Sequence, residues 1–338
     1  MRRDANSLVE GKLVLVTGGT GTIGSEIVRR LLPLNPSAVR VFSNNENELH
    51  EFQRELDGVD KVRFLLGDVR DYSRLLRAMG GVDLVFHCAG LKHVRACEYN
   101  PFEAVKTNII GTQNLVEACV ECETERVIFT STDKAANPAN MMGASKLMAE
   151  RLFTAANYFK GKKNPVFSSV RFGNVLGSRG SFPNLAVEQV RNGGPVTITD
   201  LRMTRFLLRL SRSVDLVLEA MGHAVGGEVF ILKMDTLKVT DLVEVIKEEM
   251  GNPDCPVKEI GILPGEKTYE ELMTQEESLR TLELEHMFVI LPQIRDFAPV
   301  AYEYEGSRQC EEGIYSSNDG DHLSREEIRS LLKEEGIV

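Results

Sequence analysis

The sequence predicts an α/β protein: a doubly wound parallel sheet followed by a smaller C-terminal α/β lobe. Two observations predict this class. Short apolar, β-branched runs alternate with helical patterns over the first half of the chain. The first run leads into the glycine pattern Gly18–Gly24 and then a helix, an order typical of a Rossmann-like nucleotide-binding unit. We expect this domain at 1–180, joined by returning segments from the second half, and the smaller lobe and tail at 181–338.

The composition is that of an ordinary globular protein. The chain has 338 residues, of which 42% are hydrophobic and 27% charged, enough for a full core. A net charge of −10 without a basic tract argues against binding to nucleic acid or an anionic membrane. Because we find neither a run of about 18 apolar residues nor a signal-peptide pattern, we expect no membrane span and a cytoplasmic protein.

Cysteine and histidine spacings do not indicate a metal site. The six cysteines are irregularly spaced, and the six histidines lack the short spacings of metal ligands. Cys119 and Cys122 form one CxxC late in a helical segment, without a second such pair. We interpret them as two ordinary helix thiols and predict no metal.

The first strand, Lys12–Thr17, introduces the predicted dinucleotide site, and a helix is expected from about Ser25 to Leu32. Glycines between them let the backbone turn and approach a pyrophosphate, while the helix amino end supplies oriented N–H groups. The residues assigned to the cofactor here are Gly18, Thr20, Gly21, Thr22 and Ile23.

The second strand, Ala38–Phe42, bears on the choice of cofactor. An acidic residue at this strand tip usually binds the ribose of NAD and repels the 2′-phosphate of NADP. Here the tip is Ser43 and Asn44, which are neutral, with Glu46 nearby and no arginine. We therefore predict NADP in preference to NAD.

The third and fourth strands are expected to complete the cofactor site. Val62–Leu66 leads to Asp68 and Val69, which are placed against an adenine edge; alternatively, Asp68 caps the helix that begins near Tyr72. The fourth strand at 82–87 leads to Ala89, whose small side chain lets the backbone pass a cofactor. Lys92 then follows within reach of a diphosphate or sugar.

The most chemically active stretch follows the fifth predicted strand, Arg126–Thr130. It places Thr132, Asp133 and Lys134 at the strand's carboxyl end, where open α/β sheets bind ligands. A helix is predicted over 142–153, in which Met142 and Lys146 are four residues apart and share one face. Hydroxyls, a carboxylate and two amines at one point are typical of a proton-transfer site.

Several motifs support a family resemblance that covers roughly 12–272. The glycine turn, HCAGLKHV, KTNIIGT, STDKAANPANMMGASK and RFGNVLGSRGS together resemble the extended short-chain dehydrogenase/reductases. STDKA, TRF at 204–206 and PGEK at 264–267 more narrowly resemble the UDP-N-acetylglucosamine 4,6-dehydratases of polysaccharide biosynthesis.

One departure from the wider family concerns its tyrosine base. Met142 stands where Tyr-x-x-x-Lys would place the tyrosine, and a thioether cannot accept a proton at neutral pH. Some dehydratases similar to this chain also carry methionine there, together with an Asp-Lys pair such as Asp133 and Lys134. The substitution therefore favours the dehydratase branch.

The resemblance implies a three-step reaction. NADP+ takes hydride from C4 of the sugar, the C5 proton and the C6 hydroxyl then leave, and the hydride returns to C6. Lys134 is the expected base at C5, with its pKa lowered by Lys146 and by burial. Asp133 is the expected acid at C6, Thr132 a hydrogen-bond partner of the C4 oxygen, and Lys146 a contact to the nicotinamide ribose. The group that removes the C4 hydroxyl proton stays open.

The resemblance also implies a UDP-N-acetylglucosamine site in the second half of the chain. A loop at 171–181 is rich in donors suited to a sugar and diphosphate, and a strand at 196–199 is expected to pair with a uracil edge. A planar guanidinium matches a diphosphate, and a carboxylate suits ribose hydroxyls. The residues assigned to substrate are Lys92, Asn174, Arg179, Thr197, Thr199, Arg205 and Glu266.

Other functions remain open at this stage. A UDP-sugar 4-epimerase would need only the C4 hydride step, a 5,6-dehydratase would stop short of the 4-keto product, and a silent protein would only bind NADP and nucleotide sugar. By analogy with the family we expect at least a homodimer, paired through helices at about 101–119 and 142–158, or a hexamer.

Overall fold

The structure is a computed structural model that describes residues 5–160, 165–178, 180–294 and 300–338. Helices cover both faces of a long, mostly parallel sheet, and a smaller lobe lies beyond the carboxyl ends of its strands. The strands of the described ranges are, in chain order, β1 Leu13–Thr17, β2 Ala38–Ser43, β3 Val62–Leu66, β4 Leu84–His87, β5 Arg126–Thr130, β6 Val166–Arg171, β7 Asn174–Val175, β8 Val196–Ile198, β9 Thr204–Leu208, β10 Val229–Leu232, β11 Asp235–Lys238, β12 Val257–Glu259, β13 Glu271–Met273, β14 Thr281–Glu283, β15 Met287–Ile290, β16 Arg308–Gln309 and β17 Tyr315–Ser316.

The helices connect these strands in a regular alternation through the first half of the chain. A π-helical turn at Val105–Ile110 joins two of them, and a short 3₁₀ turn at Asp133–Ala135 follows β5. The α-helices of the described ranges are α1 Ala5–Val9, α2 Thr22–Leu31, α3 Glu46–Glu55, α4 Tyr72–Met79, α5 Val94–Tyr99, α6 Pro101–Ala104, α7 Gly111–Glu121, α8 Met141–Phe159, α9 Phe182–Arg191, α10 Leu210–His223, α11 Val239–Glu249, α12 Gln275–Ser278 and α13 Arg325–Glu334.

The main sheet has the order β16-β14-β15-β10-β6-β5-β4-β1-β2-β3. In this spatial order, all neighbouring strands from β10 through β6, β5, β4, β1 and β2 to β3 pair in parallel. Strands β15, β14 and β16 add antiparallel pairs at the other edge. From β1 the chain adds β2 and β3 on one side and then returns to add β4, β5 and β6 on the other side. The strand order therefore reverses between β1 and β4. A crevice opens at such a point at the carboxyl ends of the strands. The predicted doubly wound sheet is confirmed.

Alternate residues of the first strand pack on opposite faces of this sheet. Val14 and Val16 belong to one buried apolar cluster and Leu15 to another, which is the period expected of a strand buried on both sides. A third cluster forms the smaller lobe, where Ile198, Leu242 and Ile328 pack together. The glycine turn and the loop after β5 are thus held on a rigid base.

Several element boundaries differ from the predicted ones. The helix expected from about Ser25 begins at Thr22, because Gly21 already serves as its N-cap. The helix expected over 101–119 is interrupted by the π turn. Farther along the chain, β14 and β15 form a hairpin, and the terminal helix α13 has a capping box at Ser324 with Glu327.

A fully buried ion pair joins the main sheet to the second half of the chain. Arg171, at the end of β6, donates to both carboxylate oxygens of Glu150 on α8 at 2.7 and 2.8 Å. It also donates to both oxygens of Glu277 on α12 at 2.8 and 2.9 Å. This guanidinium therefore ties the helix that carries Lys146 to the segment that follows β13.

We expect Arg171→Met to destabilise the fold by about 3–5 kcal/mol, because it leaves two carboxylates buried without their cation. Urea unfolding measures the loss. Arg29→Met is the matched control, since Arg29 makes a similar bidentate contact to Glu55 at the surface and should cost less than about 1 kcal/mol. Equal losses in the two variants would contradict this prediction.

Candidate active site

A cleft of about 660 Å³ opens at the carboxyl ends of β1, β4 and β5. It contains all the residues predicted for the cofactor and for catalysis, together with two of those predicted for substrate. These lining residues are Gly18, Thr20, Gly21, Thr22, Ile23, Ser43, Asn44, Asp68, Val69, Ala89, Lys92, Thr132, Asp133, Lys134, Met142, Lys146 and Asn174. The fold thus brings together side chains that lie up to about 150 positions apart in the sequence.

The glycine turn leaves no room for side chains at two positions. Gly18 has a φ of +63°, and a Cβ there would lie 2.7 Å from the backbone nitrogen of Ala89. A Cβ on Gly24 would lie 2.3 Å from the Gly18 carbonyl oxygen. The turn therefore packs directly against the loop after β4, and the N-terminus of α2 faces the cleft. This geometry suits a pyrophosphate bound to backbone N–H groups.

The tip of β2 is polar and contains no carboxylate of its own. Ser43 and Thr20 join their hydroxyls at 2.9 Å, and Thr20 donates to Glu48 Oε2 at 2.7 Å. Asn44 Nδ2 donates to Asp68 Oδ2 at 3.1 Å. Two acidic side chains therefore line the cleft near this tip, Asp68 and Glu48, which lies in the first turn of α3, while the sequence had indicated Glu46.

Asp68 is held by an ion pair and does not cap a helix. Arg70 donates to both of its carboxylate oxygens, at 2.9 and 2.6 Å, and these hydrogen bonds lower the pKa of Asp68 to about 2. The alternative interpretation of Asp68 as a helix cap is wrong, because Asp71 accepts the capping hydrogen bond from the Arg74 amide.

The end of β4 is braced by a neutral histidine. His87 is fully buried, with Nδ1 2.7 Å from Thr17 Oγ1 and Nε2 3.0 Å from Thr112 Oγ1. Thr112 donates its own proton to the Asn108 carbonyl, so His87 donates from Nε2 and accepts at Nδ1. Burial lowers the pKa of His87 to about 3. This contact fixes β1 against β4 beneath the cofactor cleft.

The loop after β5 forms a compact hydrogen-bonded group. Thr132 Oγ1 donates to Asp133 Oδ1 at 2.7 Å. Lys134 Nζ donates to Asp133 Oδ2 at 2.9 Å and to Oδ1 at 3.1 Å. Asp133 is buried, whereas the Lys134 side chain keeps 31% of its exposure. The three predicted side chains therefore meet at the cleft through the carboxylate of Asp133.

The expected lowering of the Lys134 pKa is wrong. Burial does lower it, but the charges on Asp133 and Glu270 outweigh burial, and the net pKa of Lys134 is raised. The cation that opposes them is Arg205 and not Lys146. Lys134 is therefore an ammonium ion in the cofactor-free protein, and it must release a proton before it can act as a base.

Glu270 is a site residue that the sequence analysis missed. It is buried, accepts from Asn174 Nδ2 at 2.7 Å through Oε1 and from the Phe206 amide at 2.9 Å through Oε2. Its Oε1 also lies 3.8 Å from Lys134 Nζ and 3.4 Å from Arg205 Nε. No sequence signal distinguished it from the adjacent acidic residue, since only the fold brings it to Lys134.

Lys146 lies at the floor of the cleft. Its Nζ donates to the Thr130 carbonyl at 3.1 Å and lies 4.6 Å from the centre of the Phe129 ring. Burial lowers the pKa of Lys146 to about 8. Met142 is buried one turn earlier on α8 and lines the same cleft, as the four-residue spacing predicts.

The π turn in the helix at 101–121 positions Asn108 beside this floor. Asn108 accepts from the Leu91 amide at 2.7 Å and donates to the Leu91 carbonyl at 3.1 Å. It also donates to Ser145 Oγ at 2.9 Å. This buried amide therefore joins the loop after β4 to α8, and π turns of this kind are frequent at functional sites.

A second cleft of about 210 Å³ adjoins the first and shares Asp133, Lys134 and Asn174 with it. Glu266 and Arg205, both predicted to bind substrate, line this second cleft. The two clefts together form a continuous region that extends from the glycine turn to the 263–267 loop.

Arg205 is strongly engaged by the protein itself. Its Nη1 donates to the carbonyls of Thr204 and Thr268, and its Nη2 donates to the carbonyl of Lys267 at 3.2 Å. With Nε directed at Glu270, the guanidinium holds the 267–270 segment against β9. Its assignment to a diphosphate stays a prediction, and its observed contacts are structural.

Two other residues that were predicted to bind substrate lie elsewhere in the structure. Thr197 and Thr199 line neither of these two clefts. Gln189 donates to Thr197 Oγ1 and accepts from the Thr197 amide, and β8 pairs with β12. Arg179 lies outside the described residues.

Within the described ranges, no group of three or more His, Cys, Asp or Glu side chains is arranged to hold a metal ion. Cys119 is buried on α7, and Cys122 follows at its end. The helices in the same part of the chain include none that is long and apolar enough to cross a bilayer.

A family model described as "Polysaccharide biosynthesis protein" matches residues 14–292. The protein belongs to this family. Its match includes β1 through β15, and therefore the residues that line both clefts.

Three relatives extend over nearly the whole chain. A Methanocaldococcus jannaschii protein named as an uncharacterized membrane protein is 50% identical, with 99% of each chain covered. A UDP-N-acetylglucosamine 4,6-dehydratase (inverting) of Campylobacter jejuni is 38% identical, covering 96% of this chain and 98% of its own. A UDP-glucose 4-epimerase of Rickettsia rickettsii is 36% identical, with 95% of each covered.

A solved structure supports the same relationship. The X-ray structure of Pen from Bacillus thuringiensis is 46% identical and superposes with a TM-score of 0.91, covering 97% of this chain and 99% of that one. The predicted family resemblance is confirmed. Homologues of this chain are nucleotide-sugar dehydratases and epimerases, and activity of that general class is supported.

Lys146 should make stability depend on pH in a defined window. Its pKa is about 8 in the folded protein against an ordinary 10.5. Between these values the unfolded chain holds a proton that the folded protein has released, so this position should add stability as pH rises from about 8 to about 10.5. Urea unfolding of the cofactor-free wild type and Lys146→Met across this window measures the effect. A difference in unfolding free energy that stays constant with pH would contradict it.

Proposed function

We propose that the protein is an NADP-dependent nucleotide-sugar 4,6-dehydratase, with UDP-N-acetylglucosamine as its substrate. The observation that carries this proposal is the Asp133–Lys134 pair, which lies at 2.9 Å where the dinucleotide cleft meets the second cleft. An acid and an amine at this junction match the loss of a proton from C5 and of water from C6. The Campylobacter jejuni relative of that name agrees with the proposal.

The hydrogen bond between Thr132 and Asp133 supports a route for the C4 hydroxyl proton, the step that the sequence left open. With Met142 unable to accept a proton, the C4 hydroxyl passes its proton to Thr132 Oγ1, which passes its own to Asp133 Oδ1 at 2.7 Å. Asp133 then carries the proton needed to release the C6 hydroxyl as water. Lys134 removes the C5 proton, and Lys146 contacts the nicotinamide ribose.

A bound dinucleotide would supply the hydride chemistry, which takes hydride from C4 and returns it to C6. The glycine turn and the α2 N-terminus would hold its pyrophosphate. Ser43 and Asn44 at the strand tip carry no charge that repels a 2′-phosphate, and the neighbouring carboxylates of Glu48 and Asp68 accept hydrogen bonds from Thr20 and Arg70. Glu266 and the second cleft receive the nucleotide end of the substrate.

A UDP-sugar 4-epimerase is the second candidate, favoured by the Rickettsia rickettsii relative. Epimerisation needs a proton transfer only at C4, so Lys134 would have no task in it. A 5,6-dehydratase would use the same pair but keep the C5–C6 double bond.

We propose a homodimer as the smallest assembly. Large apolar side chains are exposed on α5 to α8, including Tyr99 at 88%, Phe102 at 61% and Met148 at 49%. These three side chains lie on α5, α6 and α8, which contact one another, and an exposed apolar surface of this kind is suited to pairing with a second copy.

Incubation with UDP-N-acetylglucosamine and NADP+ tests the function. We expect loss of the mass of one water and a proton spectrum with a new C6 methyl group. Asp133→Asn should lower kcat by about 10²–10⁴-fold, the usual contribution of a positioned acid, while nucleotide binding is kept. Isomerisation at constant mass would indicate the epimerase. Loss of water without a new methyl group would indicate the 5,6-dehydratase, and an unchanged substrate would indicate a silent binding protein.

Cofactor preference is tested by equilibrium binding of NADP+ and NAD+. We expect tighter binding of NADP+, and Asn44→Asp should shift the ratio of the two Kd values toward NAD+, because a carboxylate there repels the 2′-phosphate. Asn47→Asp adds the same charge on α3 outside the cleft lining and should leave the ratio close to that of the wild type. A preference for NAD+ in the wild type would contradict the prediction.

A further inference from the structure

Glu270 is the second carboxylate beside the ammonium of Lys134. Its Oε1 lies 3.8 Å from Lys134 Nζ, and Asn174 and the Phe206 amide fix its two oxygens. It lines the second cleft and is buried, yet the reaction scheme above assigns it no task. The question is therefore what this fixed carboxylate does beside the proposed base, Lys134.

We propose that Glu270 accepts the ammonium proton of Lys134 during turnover, so that Lys134 becomes the neutral amine that removes the C5 proton. This role rests on the proposed dehydratase function and deepens it. Glu270 acts through Lys134 and is therefore a positioning residue of the site.

Asp133 is closer to Lys134 but is engaged in a different transfer. Its Oδ1 receives the hydrogen bond of Thr132 at 2.7 Å and, in the proposed scheme, the proton that leaves the C4 hydroxyl. A carboxyl that already carries this proton cannot take a second one from Lys134. Among the carboxylates paired with Lys134 in the described ranges, this leaves Glu270.

The two proton transfers balance separately. The Nζ–H bond of Lys134 breaks, and its proton binds Glu270 Oε1 once the flexible lysine closes the remaining gap. The C5–H bond then breaks, its proton binds the free electron pair on Nζ, and the carbon electron pair enters the C4–C5 enolate. The C6–O bond breaks next, with the proton on Asp133 leaving in the water. When hydride adds to C6, the C5–C6 double bond breaks, Lys134 gives a proton to C5, and Glu270 then returns its proton to the free electron pair on Lys134 Nζ.

The charges around Lys134 link this transfer to the preceding step. The groups that act on its ammonium are Asp133 and Glu270, which hold the proton, and Arg205, which opposes them. When C4 oxidation protonates Asp133, the nearest counter-charge disappears and Lys134 holds its proton less tightly. Burial raises the pKa of Glu270 above its ordinary value and still acts when Asp133 is neutral, so this carboxyl is suited to receive a proton.

Single-turnover measurements on Glu270→Gln separate the C4 and C5 steps. Mixing with NADP+ and UDP-N-acetylglucosamine in D₂O should produce reduced nicotinamide at close to the wild-type rate, because hydride transfer precedes the C5 step. Deuterium entry at C5 and water loss should fall by about 100-fold, the scale of a lost proton-transfer partner. Reduced cofactor should accumulate, as it should in Lys134→Ala.

Glu283→Gln is the matched control. Glu283 also pairs with one lysine and one arginine, Lys233 at 2.8 Å and Arg308 at 3.0 Å, but it lies on β14 outside both clefts. It should react like the wild type at every step. If Glu270→Gln does not bind NADP+, Glu270→Asp replaces it, since this variant retains the carboxylate but draws it back from Nζ. It should slow the C5 step alone.

Three results would overturn the role of Glu270. One is deuterium entry at C5 in Glu270→Gln at the wild-type rate, and another is an equal loss of both steps in Glu270→Asp. The third is a C5 step that is faster in Glu270→Gln than in the wild type at neutral and mildly acidic pH. A Glu270 that acted only through its charge would hold the proton on Lys134, so its removal would speed this step. A wild-type protein that neither reduces NADP+ nor loses water would instead overturn the proposed function, and this role with it.

Discussion

The ion pair between Lys134 and Asp133 is the interaction on which the proposed chemistry of this site depends. It forms because a buried strand, β5, ends at a 3₁₀ turn that places consecutive side chains of opposite charge beside the dinucleotide cleft. Burial alone would make both charges costly. Glu270 and Arg205 complete a group of two carboxylates and two cations, so the cluster is balanced in the resting protein.

That balance makes the resting site inactive in the proposed reaction. A base that is already protonated and an acid that is already ionised have the wrong states for removing a C5 proton and releasing a hydroxyl. Proton movement within the cluster corrects both states without any net change of charge. The absence of a tyrosine at Met142 is compatible with this arrangement, since in the proposed reaction the hydrogen-bonded Thr132 and Asp133 take the C4 proton instead.

The second half of the chain contributes to this site through the sheet as well as through the smaller lobe. Strands β10, β14, β15 and β16 lie in the main sheet, and the buried guanidinium of Arg171 links α8 to the residues after β13. Glu270 immediately precedes β13. The same ion-pair network that stabilises the fold therefore limits how far Glu270 can move from Lys134.

The sequence by itself determined the doubly wound sheet, the glycine turn and the Asp133–Lys134 pair, because each depends on residues close together in the chain and on periodicity. Only the tertiary structure decided the protonation of Lys134, the place of Glu270 and the engagement of Arg205 with backbone carbonyls. Glu270 is more than 130 positions from Lys134, and a pKa follows from charges and burial in three dimensions. Neither is encoded in local spacing.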